Sequence, residues 1–173
     1  MKERILTSLL TVFVISGIQA QAPSPVPKLV VGLTIDQLRA DYIEAFSALY
    51  GERGFKRLLK EGRIYTNAEY DFINVDRSSA TASIYTGTTP YYNGIPSNRW
   101  MDRGSLRIIK SVDDQDFMGV YTSESSSAKL LRCSTLSDEL KVATQGRAEV
   151  YSIAPTREMA ILAAGHAAMV LSG

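Results

Sequence analysis

The sequence is poor in several residues and patterns, and each shortage excludes something. Cys133 is the one cysteine in 173 residues, so no internal disulfide can staple the fold, and a small buried thiol is the expected role. Nineteen basic residues against eighteen acidic ones leave a formal charge of +1, without the basic footprint that binding a phosphate backbone requires. Nucleic acid is therefore not an expected partner. The longest apolar run, Ile5 to Ile18, falls short of the roughly 20 residues that cross a bilayer. Repeats and low-complexity tracts are also missing. What is present, 45% hydrophobic and 21% charged residues, is the composition of an ordinary folded domain.

The apolar run has a different meaning at the N-terminus. Lys2 and Arg4 precede it, and the small-residue triplet Ala20-Gln21-Ala22 follows it, the three-part pattern of a secretory signal peptide over residues 1–22. No cysteine stands at the cleavage position, so a lipid anchor is not expected. The predicted mature chain carries no stable membrane anchor and lies in the periplasm, the cell envelope or the medium. Residues 23–28, with three prolines between Ala22 and Lys28, read as an extended leader, and residues 29–173 as the domain.

Within that domain, "KLVVGLTID" (Lys28 to Asp36) is a β-branched apolar run that predicts a strand buried on both faces. Helices are predicted over Gln37–Gly51 and Gly54–Gly62, the second closed by its glycine. "RIYTNAEYDF" reads as a strand, "SIYTG" from Ser83 as helix, and "TTPYYNG" as a break at Pro90 and Gly94. "SLRIIKSV" and "FMGVYTS" predict short strands. Thr135 and Asp138 are spaced like a capping box ahead of a helix ending near Gly146, and "AEVYSIA" predicts another buried strand. Strands alternating with helices at these lengths indicate an α/β layer with a mainly parallel sheet. Ligands bind beyond the carboxyl ends of such strands, where Asp36 falls. It suits either a helix N-cap or a metal ligand.

The blocks "VVGLTIDQLRADYI", "GFKRLLKEGRIYTNAEYDF", "ASIYTGTTPYYNGIPSNRWMDR", "TLSDELKVATQGRAEVYSIA" and "AILAAGH" resemble, in order, those of the alkaline phosphatase superfamily. The likeness is to the exported phosphomonoesterases with a Thr nucleophile and two zinc ions, close to the nucleotide pyrophosphatases/phosphodiesterases, and it covers roughly Lys28 to Ala168. It implies a three-layer α/β/α sandwich of alkaline phosphatase type. It also implies a small phosphorylated or anionic ligand and a covalent phosphothreonine mechanism assisted by zinc. By the same resemblance Asp36 is the first metal ligand and Asn98 a phosphate-oxygen donor, although on local grounds Asn98 also suits a turn.

Other positions depart from the family pattern. Aligned on "ASIYTG", Thr81 stands where the family has His, and Arg77 at the nucleophile position. A guanidinium stays protonated and offers no lone pair to phosphorus, and its charge opposes metal binding. Ser78 is the alternative nucleophile, with Ser79 beside it, but each added residue turns a helical side chain by ~100°. Thr156 and Glu158 occupy the positions of the family's basic phosphate clamp. Arg157 between them reads as a surface ion pair, and His166 as a structural imidazole. The family's later Asp and His ligands have no counterpart before Gly173, which reads as a truncation, a frameshift or an amino-terminal fragment. Three functions follow as expectations: an exported phosphoesterase relative with impaired catalysis, an active hydrolase using Ser78 or Ser79, or a non-catalytic envelope protein binding an acidic ligand through Arg77 and Arg99.

Overall fold

A computed structural model describes residues 26–119 and 123–172. The signal-peptide segment, the first half of the Pro-rich leader, and the centre of the "FMGVYTS" strand lie outside the described residues. The chain divides into two units, 1–30 and 31–173. In the first, Val26–Val30 are exposed and without regular structure. All elements below belong to the second.

The second unit opens with α1 (Ala40–Ala45), a 3-10 turn over Ser47–Leu49 and α2 (Phe55–Glu61). The predicted helix from Gln37 is thus shorter: Arg39 is the N-cap of α1, and Asp36 and Gln37 form a turn ahead of it. Asp36 is consequently not a cap. Gln37 has φ 59°, a left-handed conformation that is uncommon outside glycine.

The strands predicted over Lys28–Asp36 and in "RIYTNAEYDF" do not form. Leu29, Val31 and Leu33 are 79%, 77% and 80% exposed, and no ladder pairs them. The physical reason is that an apolar run becomes a central strand only with a partner on each side and layers above and below.

The part of the unit that packs tightly begins at α3 (Arg77–Thr86). Asp76 caps it in a reciprocal box: its carboxylate accepts from the Ser79 backbone N–H, and the Ser79 hydroxyl accepts from the Asp76 N–H. Gly87, at φ 67°, closes the helix in the left-handed conformation that glycine adopts without a Cβ penalty. The predicted break at Pro90 and Gly94 is a one-turn helix, α4 (Pro90–Asn93), with Pro90 in its first turn.

Three two-stranded ladders follow. Strands β1 (Arg99–Asp102) and β2 (Arg107–Lys110) pair antiparallel, as do β3 (Asp113–Met118) and β4 (Ser125–Ser126). Helix α5 (Leu136–Ala143) carries the predicted capping box from Thr135 to Asp138. Then β5 (Tyr151–Ala154), α6 (Arg157–Ala164) and β6 (Met169–Ser172) form a βαβ unit, with β5 and β6 parallel. Among the described residues the parallel part of the sheet is this one pair, where the sequence predicted a mainly parallel sheet.

Helix α6 packs on β5, β6 and α3. Between α3 and α6 lies the core of Ala82, Ile95, Val112, Ala128, Leu131, Ile161 and Leu162. Leu162 is fully buried, and burying a leucine contributes ~1.5–3 kcal/mol relative to leaving it in water.

Candidate functional site

A cleft of about 590 Å³ opens beside the N-termini of α3 and α6. Its walls bring together Asp36, Arg77, Thr81, Asn98, Thr156 and Glu158, the positions at which the sequence placed its site. They come from the turn before α1, from α3, from the loop leading into β1, and from the start of α6.

Asp76 sets the frame. One carboxylate oxygen accepts from the Ser79 backbone N–H at 2.9 Å and the Ser79 hydroxyl at 3.1 Å. The other accepts from the Asn98 N–H at 2.6 Å and the Ser97 hydroxyl at 2.8 Å. Burial opposes the charge, but these bonds outweigh it and hold the carboxyl below its ordinary range. The start of α3 and the loop bearing Asn98 are thereby tied together.

Arg77 lies at the mouth of the cleft, and its Nε donates to Asp36 Oδ2 at 2.8 Å. This bond, the charge of Asp36 and the more distant charge of Glu158 favour the guanidinium form. The serines after it turn away. Ser78 is fully buried, with its hydroxyl donating to Asn98 Oδ1 at 3.0 Å and bonded to Ser111 Oγ at 3.1 Å. Ser79 is equally buried, its single hydroxyl proton shared between the Asn74 carbonyl at 2.8 Å and Asp76 Oδ1 at 3.1 Å. Asn98 Oδ1 accepts from Ser78, and its amide NH₂, without a partner among the described residues, can donate into the cleft.

At the other wall, the Thr156 hydroxyl is buried without a hydrogen-bond partner among the described residues. Arg157 departs from the surface pair expected of it: its side chain is 17% exposed. It donates to Asp113 Oδ1 at 2.7 Å, to Ser126 Oγ at 3.1 Å and to Glu124, and its Nε lies 3.5 Å from Glu158 Oε1. It fastens α6 to the β3–β4 hairpin and does not line the cleft.

His166 and Cys133 are also outside the cleft. The imidazole Nδ1 is 2.8 Å from Asp138 Oδ2, and Nε2 is 3.1 Å from the Leu131 carbonyl. Cys133 is half-buried rather than buried, its thiol donating to the Tyr92 carbonyl at 3.4 Å. Sequence reasoning missed Tyr70, whose ring lines the cleft and whose phenol burial pushes up. Assigning its segment to a strand concealed it.

The cleft does not fit a zinc site. Its three carboxylates are each committed, Asp36 to Arg77, Asp76 to the cap and loop, and Glu158 to Arg157. Among the described residues no three His, Cys, Asp or Glu side chains converge as metal ligands do. No described helix is long and apolar enough to cross a membrane.

Residues 30–156 match the type I phosphodiesterase/nucleotide pyrophosphatase family, and the chain belongs to that family of phosphoesterases. Among its relatives are alkaline phosphatases. It is 41% identical over 145 residues to alkaline phosphatase PhoV of Synechococcus elongatus, covering 82% of this chain and 26% of that protein. It is 35% identical over 165 residues to alkaline phosphatase PafA of Elizabethkingia meningoseptica, covering 91% of this chain and 30% of that protein. The crystal structure of wild-type PafA matches with a TM-score of 0.78 and 34% identity over 82% of this chain and 28% of that one. The fold is thus the α/β fold of alkaline phosphatase, and the chain spans less than a third of the length of these relatives.

Proposed function

We propose that this chain is an exported phosphoesterase relative whose hydrolytic chemistry has been lost. The observation that carries the reading is the Arg77–Asp36 ion pair. At the position aligned with the attacking hydroxyl stands a side chain with no lone pair to donate, and it is bonded to the carboxylate that the family resemblance assigns to metal. The neighbouring hydroxyls supply no replacement. Ser78 is held between Asn98 and Ser111, and Ser79 within the cap. Either would have to break buried bonds and turn through a large angle to face the cleft, and attack at phosphorus tolerates little misplacement.

Binding without hydrolysis remains within reach of this cleft. The Asn98 amide is the donor for a small phosphorylated or anionic ligand, while Glu158 at the clamp position disfavours a dianion. The N-terminal segment supports export, with the mature protein in the periplasm, the envelope or the medium.

The test is turnover of p-nitrophenyl phosphate by the purified full chain with zinc supplied. The expected rate equals the uncatalysed background in the wild type and in Ser78→Ala and Ser79→Ala. Turnover well above background that disappears in either serine variant would refute the reading and establish a shifted nucleophile.

A further inference from the structure

We infer that the Arg77 guanidinium is the resident cation of the cleft, the built-in counter-ion of Asp36 in the place a divalent metal would take. The inference rests on the functional reading above in taking Asp36 as the descendant of a metal ligand, and it adds that the cleft is assembled without metal.

The geometry is that of a charge-assisted hydrogen bond, Nε to Oδ2 at 2.8 Å between residues 41 apart in sequence. Both side chains are about half exposed, 50% for Arg77 and 41% for Asp36. A metal ion therefore has access to the carboxylate, and competition rather than shielding decides which cation holds it. Arg77 prevails on two counts. Its charge is permanent, and it is delivered by a capped helix whose first residue is fixed by the reciprocal box at Asp76 and Ser79. A metal bound to Asp36 would sit within a few ångströms of that charge and be repelled by it. The other carboxylates of the cleft do not compensate, because Asp76 is occupied by four hydrogen bonds and Glu158 faces Arg157.

Removing the guanidinium should therefore create the cation affinity that it suppresses, since the Asp36 carboxylate would lose the cation to which it is bonded. The test uses the full chain and zinc chloride, with calorimetric titration and zinc content after desalting. The wild type is expected to retain less than a tenth of an equivalent of zinc, and its melting temperature should be unchanged by EDTA. Arg77→Ala should bind zinc at least ten times more tightly than the wild type, and Asp36→Asn in that background should abolish the gain. Arg77→Gln carries the same expectation and serves if the alanine variant does not fold. One equivalent of zinc on the wild type, lost in Asp36→Asn, overturns the inference, as does an affinity of Arg77→Ala and Arg77→Gln no greater than that of the wild type. Zinc retention without turnover defeats this inference alone. Turnover without zinc retention defeats the functional reading and leaves the inference standing.

Discussion

The contact between His166 and Asp138 makes stability depend on pH in a direction that the geometry fixes. The imidazole meets an acceptor at each nitrogen, a carboxylate oxygen at 2.8 Å and the Leu131 carbonyl at 3.1 Å. Both bonds can be made only when both nitrogens carry hydrogen, that is, when the ring is charged. Burial works against that charge, but the bonds to Asp138 and Leu131 outweigh it and raise the pKa above its ordinary value. A group whose pKa is raised by folding stabilises fully below its unfolded value, about 6.5, and loses that contribution as pH rises through the folded value. Asp138 shifts the other way. Burial opposes its ionisation, but bonds from the Thr135 N–H and hydroxyl and from the His166 ring and N–H hold it low. Its contribution is present above about pH 3.9 and lost on further acidification.

The pair is therefore fully effective between about pH 4 and 6.5. The His166 side chain is 43% exposed, so the ionic part amounts to ~1 kcal/mol after solvent screening. Asp138→Ala removes in addition the acceptor for the Thr135 and His166 backbone N–H groups, for a total of ~2–3 kcal/mol. In a chain of this size that lowers Tm by roughly 5–10 °C. The assay is urea unfolding followed by circular dichroism at pH 5.5 to 8.5, comparing the wild type with His166→Gln. The difference in unfolding free energy should shrink as pH rises. A difference that stays constant across this range refutes the doubly bonded imidazolium.

Two further variants probe the frame of the cleft. Asp76→Ala takes the cap from α3 and the anchor from Ser97 and Asn98, and should destabilise by ~2–3 kcal/mol in the same unfolding assay. Ser79→Ala, which leaves the carboxylate in place, should lose only ~1 kcal/mol. Arg157→Met leaves Asp113, Glu124 and Glu158 without this shared cation and should lower stability by ~2 kcal/mol or more. Amide exchange should accelerate first in the β3–β4 hairpin, and uniform exchange across α6 and the hairpin would argue against Arg157 as their fastening.

Local chemistry carried through from sequence to structure, whereas anything dependent on a distant partner did not. The Thr135–Asp138 box was legible because donor and acceptor lie three residues apart on one turn, and Phe55–Glu61 because Gly62 closes it. The start of α3 required reading "DRSS" as a cap, which places the helix six residues ahead of the apolar "SIYTG". By contrast, Lys28–Asp36 has the composition of a strand and none of the pairing. Arg157 looked like a surface residue because its partners, Asp113 and Glu124, are more than thirty residues away. At the cleft, spacing within α3 indicated that Ser78 and Ser79 point elsewhere. The Arg77–Asp36 bond was not legible, since it joins two segments 41 residues apart.

The carboxylate of Asp76 has a consequence for how such a cleft can change over generations. Because it grips the first turn of α3, the Ser97 hydroxyl and the Asn98 N–H, the backbone at residues 77 and 98 is held by a neighbour whatever side chains those residues carry. The chassis and the chemistry mounted on it are separable. A side chain as long and as charged as arginine can be fitted at residue 77 while the turn that presents it keeps its shape, leaving the cleft open to new use without a new fold.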